Sequence, residues 1–238
     1  IQDKASDLPR SDVLRKEVTA KVATIGGSFA YTIAEARAAA TIPGMNLEQR
    51  RANAVRRASE EKIQDIAFFG DSSVGLEGFF NSPQIDKVVP NKWFTDSATT
   101  TDEMIDLLNE PATRIVSNSR QKERPNTLLL DLASYRKIST TPRSSTSDTT
   151  VLEFFLRTNP YIRSVEPINE LSAANGQLSK DRMIAYDRSP DKLQLHLPKT
   201  LEFLPPIRQG LEFSVSAMAK VGGVSLYYPK SAIVLEKA

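Results

Sequence analysis

The chain has 238 residues, 40% of them hydrophobic, with 31 basic against 29 acidic side chains and no cysteine. That is enough apolar material for one large core or two small ones, while the near-balanced charge argues against a surface that coats a polyanion. The missing thiols exclude disulfides, zinc–cysteine sites and thiol catalysis, and no run approaches the roughly 20 apolar residues that span a membrane.

The first residue is Ile1 rather than Met, which implies a processed or partial chain. Residues 1–10 are polar and contain Pro9, and read as an extended segment. From Val13 to Ile25 apolar and polar residues alternate, with Val18 and Val22 on one side, so this stretch predicts a long strand forming one arm of a hairpin. Gly26-Gly27 is expected to break it, Ser28–Thr32 to extend it, and Thr32 with Glu35 to cap a short alanine-rich helix over Ile33–Ala40. Pro43-Gly44 separates that helix from the next element.

Asn46 to Phe68 predicts one long helix, capped by Asn46 with Gln49 three residues on and ended by Gly70. Only Ala52, Val55, Ser59, Ile63 and Ile66 form an apolar stripe. Arg50, Arg51, Arg57, Glu60, Glu61 and Lys62 fill the rest, with Arg56/Glu60 and Arg57/Glu61 as i,i+4 pairs in the less favourable orientation, each worth roughly 0.2–0.5 kcal/mol. At about 1.5 Å per residue the helix is a rod of roughly 30 Å, charged on most sides and suited to bridging neighbouring subunits.

Past Pro83 a loop with a short strand carries Trp93, the single tryptophan, expected as a core or interface anchor. Thr101 or Asp102 caps a helix through Ser119 in which Pro111 is the expected kink, and Thr127–Asp131 predicts a buried strand leading into a helix. Ile138 to Thr150 is rich in serine and threonine and reads as a surface loop; Thr149 or Thr150 then caps a helix, and Tyr161–Ile168 reads as a strand. Asp181–Asp187 and Lys192–Leu197 predict a hairpin around Ser189-Pro190-Asp191, and strands from Gly210 onward, punctuated by Gly222-Gly223, close the chain.

Two blocks carry chemistry or assembly. Phe68-Phe69-Gly70-Asp71-Ser72-Ser73 resembles the nucleophile block of GDS-type serine esterases, in which Ser72 would attack and a histidine would serve as base. The only histidine, His196, has Asp191 five residues upstream instead of the family's three, and the oxyanion-hole blocks are not recognisable. The carboxylates Asp71, Asp86, Asp131, Asp181, Asp187 and Asp191 show no metal-site spacing, and the glycines lack the Gly-Lys-Ser/Thr ending of a phosphate loop, so neither a metal nor a cofactor is expected.

The second block is wider. Residues 46–71, Gly75–Pro83, Arg124–Thr140, Thr150–Ile162, Lys180–Pro198 and Val221–Lys237 occur in the order seen in a branch of the Hong Kong 97-type major capsid proteins of tailed bacteriophages, including Asn126–Leu130 with Tyr135 and Gly222, Gly223, Val224 with Pro229. The resemblance implies an α+β fold with an extended arm and E-loop hairpin over residues 1–32. It implies a peripheral domain over 33–99 with spine helix 47–68, an axial domain over 100–197, and a return of the peripheral β-sheet over 198–238. The resemblance also implies a further arm ahead of the hairpin, expected to be cleaved on maturation or to lie outside this sequence.

It further implies a non-enzymatic virion protein, assembled in the host cytoplasm into pentamers and hexamers around double-stranded DNA, with scaffold, portal and decoration proteins as further partners. Val18, Val22, Arg50, Arg57, Glu61 and Trp93 are the residues expected at subunit contacts. An encapsulin-type nanocompartment shares the fold and is the alternative shell; the esterase is the alternative of a different class.

Overall fold

The computed structural model describes residues 21–42, 46–175 and 177–238. In chain order the elements are β1 (Ala23–Thr32), α1 (Ile33–Ala40), α2 (Leu47–Phe69), β2 (Gly70–Asp71), β3 (Leu76–Glu77), β4 (Asp86–Val88), α3 (Thr101–Asn118) and β5 (Thr127–Leu130). There follow α4 (Leu132–Thr140), α5 (Val151–Thr158), β6 (Ser164–Pro167), β7 (Arg182–Tyr186), β8 (Leu193–Leu195), β9 (Lys199–Phe203), β10 (Ile207–Gln209), β11 (Glu212–Val221), β12 (Val224–Leu226) and β13 (Ala232–Glu236).

The helix starts follow from side chains that satisfy orphan N–H groups. The Thr32 hydroxyl accepts from the Glu35 amide at 3.1 Å while the Glu35 carboxylate accepts the Thr32 amide at 2.9 Å, as expected. Asn46 Oδ1 accepts from the Gln49 amide at 3.0 Å. For α3 the cap is Thr100, one residue earlier than expected, because Glu103 reaches back to the Thr100 amide at 2.8 Å and completes the box. Thr150 caps α5, and the loop expected from Ile138 begins later, since α4 runs to Thr140 and buries Ile138 completely.

A long antiparallel sheet has β11 at its centre, with β1 on one side in continuous register from Ala23↔Val221 to Thr32↔Glu212, and β10 and β9 on the other. The partner of β1 is therefore a strand nearly 200 residues away, and over the described residues β1 is not an arm of a local hairpin. Nor do the glycines break it. β1 runs straight through Gly26-Gly27, because Gly27 lies under α2: a Cβ there would stand 2.9 Å from Val55 Cγ1. Glycine at this position lets the helix seat against the sheet.

The second sheet has order β4-β13-β7-β5-β6, with β13/β4 and β5/β6 parallel and the central pairs antiparallel. Its three central strands, β13, β7 and β5, are buried on both faces, as continuous apolar runs require, while the edge strands β4 and β6 are partly exposed. Leu128, Leu130, Met183, Ala185, Ile233 and Leu235 point to a core shared with Met104, Leu108, Ala112 and Ile115 of α3 and Phe155 of α5. Leu129, Ile184, Tyr186 and Val234 point the other way, to Phe79, Phe80 and Ile85. This sheet draws strands from three of the segments expected above, since β13 and then β4 extend it on one side of the strands from residues 127–186.

The expected hairpin of β7 with β8 does not form. The turn is present, with the Lys192 amide bonded to the Ser189 carbonyl at 3.0 Å. Yet β7 is buried on both faces and pairs with β13 and β5, while the half-exposed β8 pairs with β12. Burial decides the partner: a strand apolar on both sides gains more between two buried strands than against one at the surface.

Candidate functional site

The long sheet and α2 carry most of the described residues expected at subunit contacts. The stripe of α2 packs on the sheet through Ile63 and Ile66, with Ala23, Ile25, Leu76 and Val221. Arg51 ties its N-terminal part down: the guanidinium bonds the Ala30 carbonyl and reaches Glu35 Oε1 at 2.9 Å. The hydrogen bond from Arg51, with that from the Thr32 amide, holds the Glu35 carboxyl below the usual range. At the other end Gly70 closes the helix in a left-handed conformation (φ 75°), and a Cβ on Gly78 would stand 2.2 Å from the Gly70 nitrogen. Two glycines let β2 and β3 meet there, a packing reason for the Gly-Asp-Ser block.

The face of α2 opposite Ser59 is solvent-facing and carries Arg50, Ala54, Arg57 and Glu61, all exposed. Arg57 Nε bonds Glu61 Oε1 at 3.0 Å, with the two side chains 83% and 66% exposed. The expected Arg56/Glu60 pair does not form within ion-pair distance among the described residues. Of the residues expected at subunit contacts, Val22 is half exposed and Arg50, Arg57 and Glu61 lie on the outer ridge. Val18 lies outside the described residues. Of the two places expected for Trp93, core or interface, the single chain has it in the core around α3, at 1% exposure. Sequence reasoning missed the tip of the long sheet, where Leu204, Ile207 and Leu211 are exposed, the last by 72%. The signal was there in Leu-Pro-Pro-Ile and Gly-Leu, apolar residues set among turn formers.

Ion pairs tie the turn before β8 to the α3–β5 loop and the end of β7, and β7 to β13. Lys192 Nζ lies 2.5 Å from both Glu123 Oε2 and Asp187 Oδ2, and Asn126 Nδ2 donates to Asp187 Oδ1 at 2.9 Å. Burial alone would lower the Lys192 pKa, but its hydrogen bonds to Asp187 and Glu123 outweigh that and raise it. Arg182, largely buried, bonds Glu236 at 2.9 Å and the Phe80 carbonyl at 2.9 Å.

Hydrolytic chemistry finds no such support. Ser72 sits in the exposed turn between β2 and β3, and the ring Nε2 of His196 is engaged with Ser225 Oγ at 3.0 Å. Among the described residues Ser72 makes no hydrogen bond to His196, and no group of three His, Asp or Glu side chains could hold a metal ion. A cleft of about 680 Å³ lies between the C-terminal end of α2 and β8, lined by Phe68, Phe79, Tyr186, Leu193 and Val224 with Arg188 at its rim. Its lining includes Ser189, whose hydroxyl donates to Asp187 Oδ1 at 2.6 Å, and no histidine among the described residues.

A family model described as major capsid protein matches residues 1–237. Among solved structures the chain is similar to the capsid of Myoviridae phage XM1 (15% identity, TM-score 0.79, covering 92% of this chain and 74% of that one). It is also similar to the capsid of a native GTA particle (10%, 0.62, 91% and 73%) and to the SrpI encapsulin complex of Synechococcus elongatus PCC 7942 (12%, 0.50, 90% and 73%). No curated protein matches. The fold is the mixed helix-and-sheet Hong Kong 97 type.

Proposed function

Because the chain belongs to the major capsid protein family, we propose that it is the coat protein of a tailed-bacteriophage virion and closes, as pentamers and hexamers, into an icosahedral shell around double-stranded DNA. The family match over residues 1–237 carries this reading. The surface supports it: a long sheet with a helix on one face only, an outward charged ridge, and an apolar tip at Leu204, Ile207 and Leu211 suit a subunit that completes itself against copies. Val22, Arg50, Arg57 and Glu61 are the residues we place at those contacts. Assembly would take place in the host cytoplasm, with scaffold and portal proteins as further partners and the near-neutral charge suiting a container of DNA.

The domain division of the family maps onto the chain as residues 33–99 with 198–238 for the peripheral part and 100–197 for the axial part. The separate long sheet supports this division, while β4 and β13 join the sheet of residues 127–186 and β8 pairs with β12 across it.

The test is light scattering and negative-stain microscopy of the full-length protein. Angular shells of megadalton mass, or rings of five and six, are the expected result, and a monomer of about 26 kDa under all conditions would sink the reading. Contents separate the two shells: DNA supports the virion, enclosed protein cargo the encapsulin. The stronger fold likeness to the XM1 capsid than to the SrpI encapsulin, TM-scores of 0.79 against 0.50, favours the virion.

A further inference from the structure

The helices α2 and α3 distribute charge in opposite ways. In α3 the carboxylates Asp102, Glu103, Asp106 and Glu110 precede Arg114, the order that the helix macrodipole and i,i+4 pairing favour; Arg114 closes on Glu110 at 2.7 Å. In α2, Arg50, Arg51, Arg56 and Arg57 occupy the first half and Glu60, Glu61 and Asp65 the second, with Glu48 and Lys62 as exceptions. The one pair that forms across the boundary, Arg57 with Glu61, runs in the disfavoured orientation and is almost fully in water. Among the described residues Arg51 finds Glu35 of α1, but Arg50 and Arg56 have no ion-pair partner, so little there rewards this order.

A second copy would reward it. Arg50, Ala54, Arg57 and Glu61 recur at spacings alternating between four and three, the a/d positions of a heptad seam, and form a single ridge opposite the residues that seat α2 on the sheet. Ala54 and Ala58, both exposed, are the small side chains next to Arg57 on this ridge. We propose that this ridge is a self-complementary twofold contact, in which α2 pairs antiparallel with α2 of a second copy. Pairing a with d positions about an axis near residue 59 sets Arg57 of each chain opposite the partner's Glu61. Both arginines and both glutamates then form one four-charge network, and Arg50 lies near the partially negative C-terminal end of the partner's helix. A twofold contact of this kind would link neighbouring rings rather than subunits within a ring, and in that sense it rests on the shell reading above.

The experiment uses the full chain and three variants, Arg57→Glu, Glu61→Arg and the double swap, followed by light scattering and microscopy at low and high salt. Either single change places like charges opposite each other twice across the axis, and the assembled fraction at low salt should fall by about tenfold or more. Circular dichroism melting of the unassembled single variants should stay close to wild type, since the ridge is exposed. The double swap reverses both members of each pair and should recover assembly to within about twofold of wild type. Wild-type shells whose formation ignores the single changes overturn the contact. So does a double swap as defective as the singles, since that places a different, unswapped surface opposite α2. In both cases the coat-protein reading stands. A wild-type chain that never assembles overturns both.

Discussion

The five-stranded sheet is covered on both faces by the chain's own side chains, whereas the long sheet is covered by α2 on one face and shows Thr24, Gly26, Ser28, Glu212 and Lys220 on the other. The helices differ in the same sense. α3 buries Met104, Ile105, Leu107, Leu108, Ala112 and Ile115, while α2, five residues longer, buries only Ser59 and Ile66. One half of the molecule has its hydrophobic contacts inside the chain; the other keeps a narrow internal seam and turns most of its surface outward. Stability should therefore reside in the first, and association in the second.

The strongest way to break this contrast is to open the five-stranded half. Phe155 is completely buried against the sheet and α3, and Phe155→Ala should cost about 3–5 kcal/mol of unfolding free energy, read by urea titration of the unassembled chain. A loss under 1 kcal/mol would show that this core is not where the stability lies. The helix–sheet seam offers a smaller and more local effect. Gly27→Val places a branched side chain where even a Cβ comes within 2.9 Å of Val55 Cγ1, so α2 must lift from β1 at about 1–3 kcal/mol. Hydrogen exchange should quicken in β1 and α2 while β5 and β7 stay protected.

Most of the elements were legible in the residues, and the reasons they were legible explain the misses. Thr32 with Glu35, Asn46 and Gly70 mark helix ends by local chemistry, which operates within a few positions of the chain. Strand partnership is not local. The alternation of Glu212–Val221 reveals a strand but not that its partner is Ala23–Thr32, and the turn at Ser189–Asp191 suggested a hairpin that burial of β7 on both faces overrules. Gly26-Gly27 misled for a related reason, since the helix lying over Gly27 is invisible in a reading of neighbours along the chain. For the candidate surface, the ridge of α2 could be read from helical periodicity, but whether Trp93 faced a core or a neighbour depended on tertiary packing.

A change of pH separates the halves more gently. The Glu103 carboxyl, hydrogen-bonded first by Lys92 at 2.6 Å and then by the Thr100 amide, is held down at about 2 against an ordinary 4.5. Its folded value is depressed, so the stabilisation it gives is present above about 4.5 and is lost as pH falls towards 2. Glu103→Gln should remove that part of the acid sensitivity: the melting temperature of the variant should fall less steeply than that of wild type between these pH values. Equal slopes would mean that the Lys92 contact contributes nothing in solution.

The smallest effect sharpens the comparison most. Arg57 and Glu61 face water, and an exposed i,i+4 pair in the unfavourable orientation is worth a few tenths of a kcal/mol. Arg57→Ala should therefore change the unfolding free energy of the unassembled chain by less than about 0.5 kcal/mol, within the error of a urea titration. The same substitution removes one partner from each proposed cross-copy pair, and with it a contact made twice about every twofold axis. A residue that is nearly silent in the stability of one chain yet visible in the association of many is what a surface built for partners requires. If Arg57→Ala instead cost 2 kcal/mol or more in the isolated chain, α2 would be held by its charged ridge rather than by its seam on the sheet, and the division between an inward half and an outward half would fail at the helix on which it most depends.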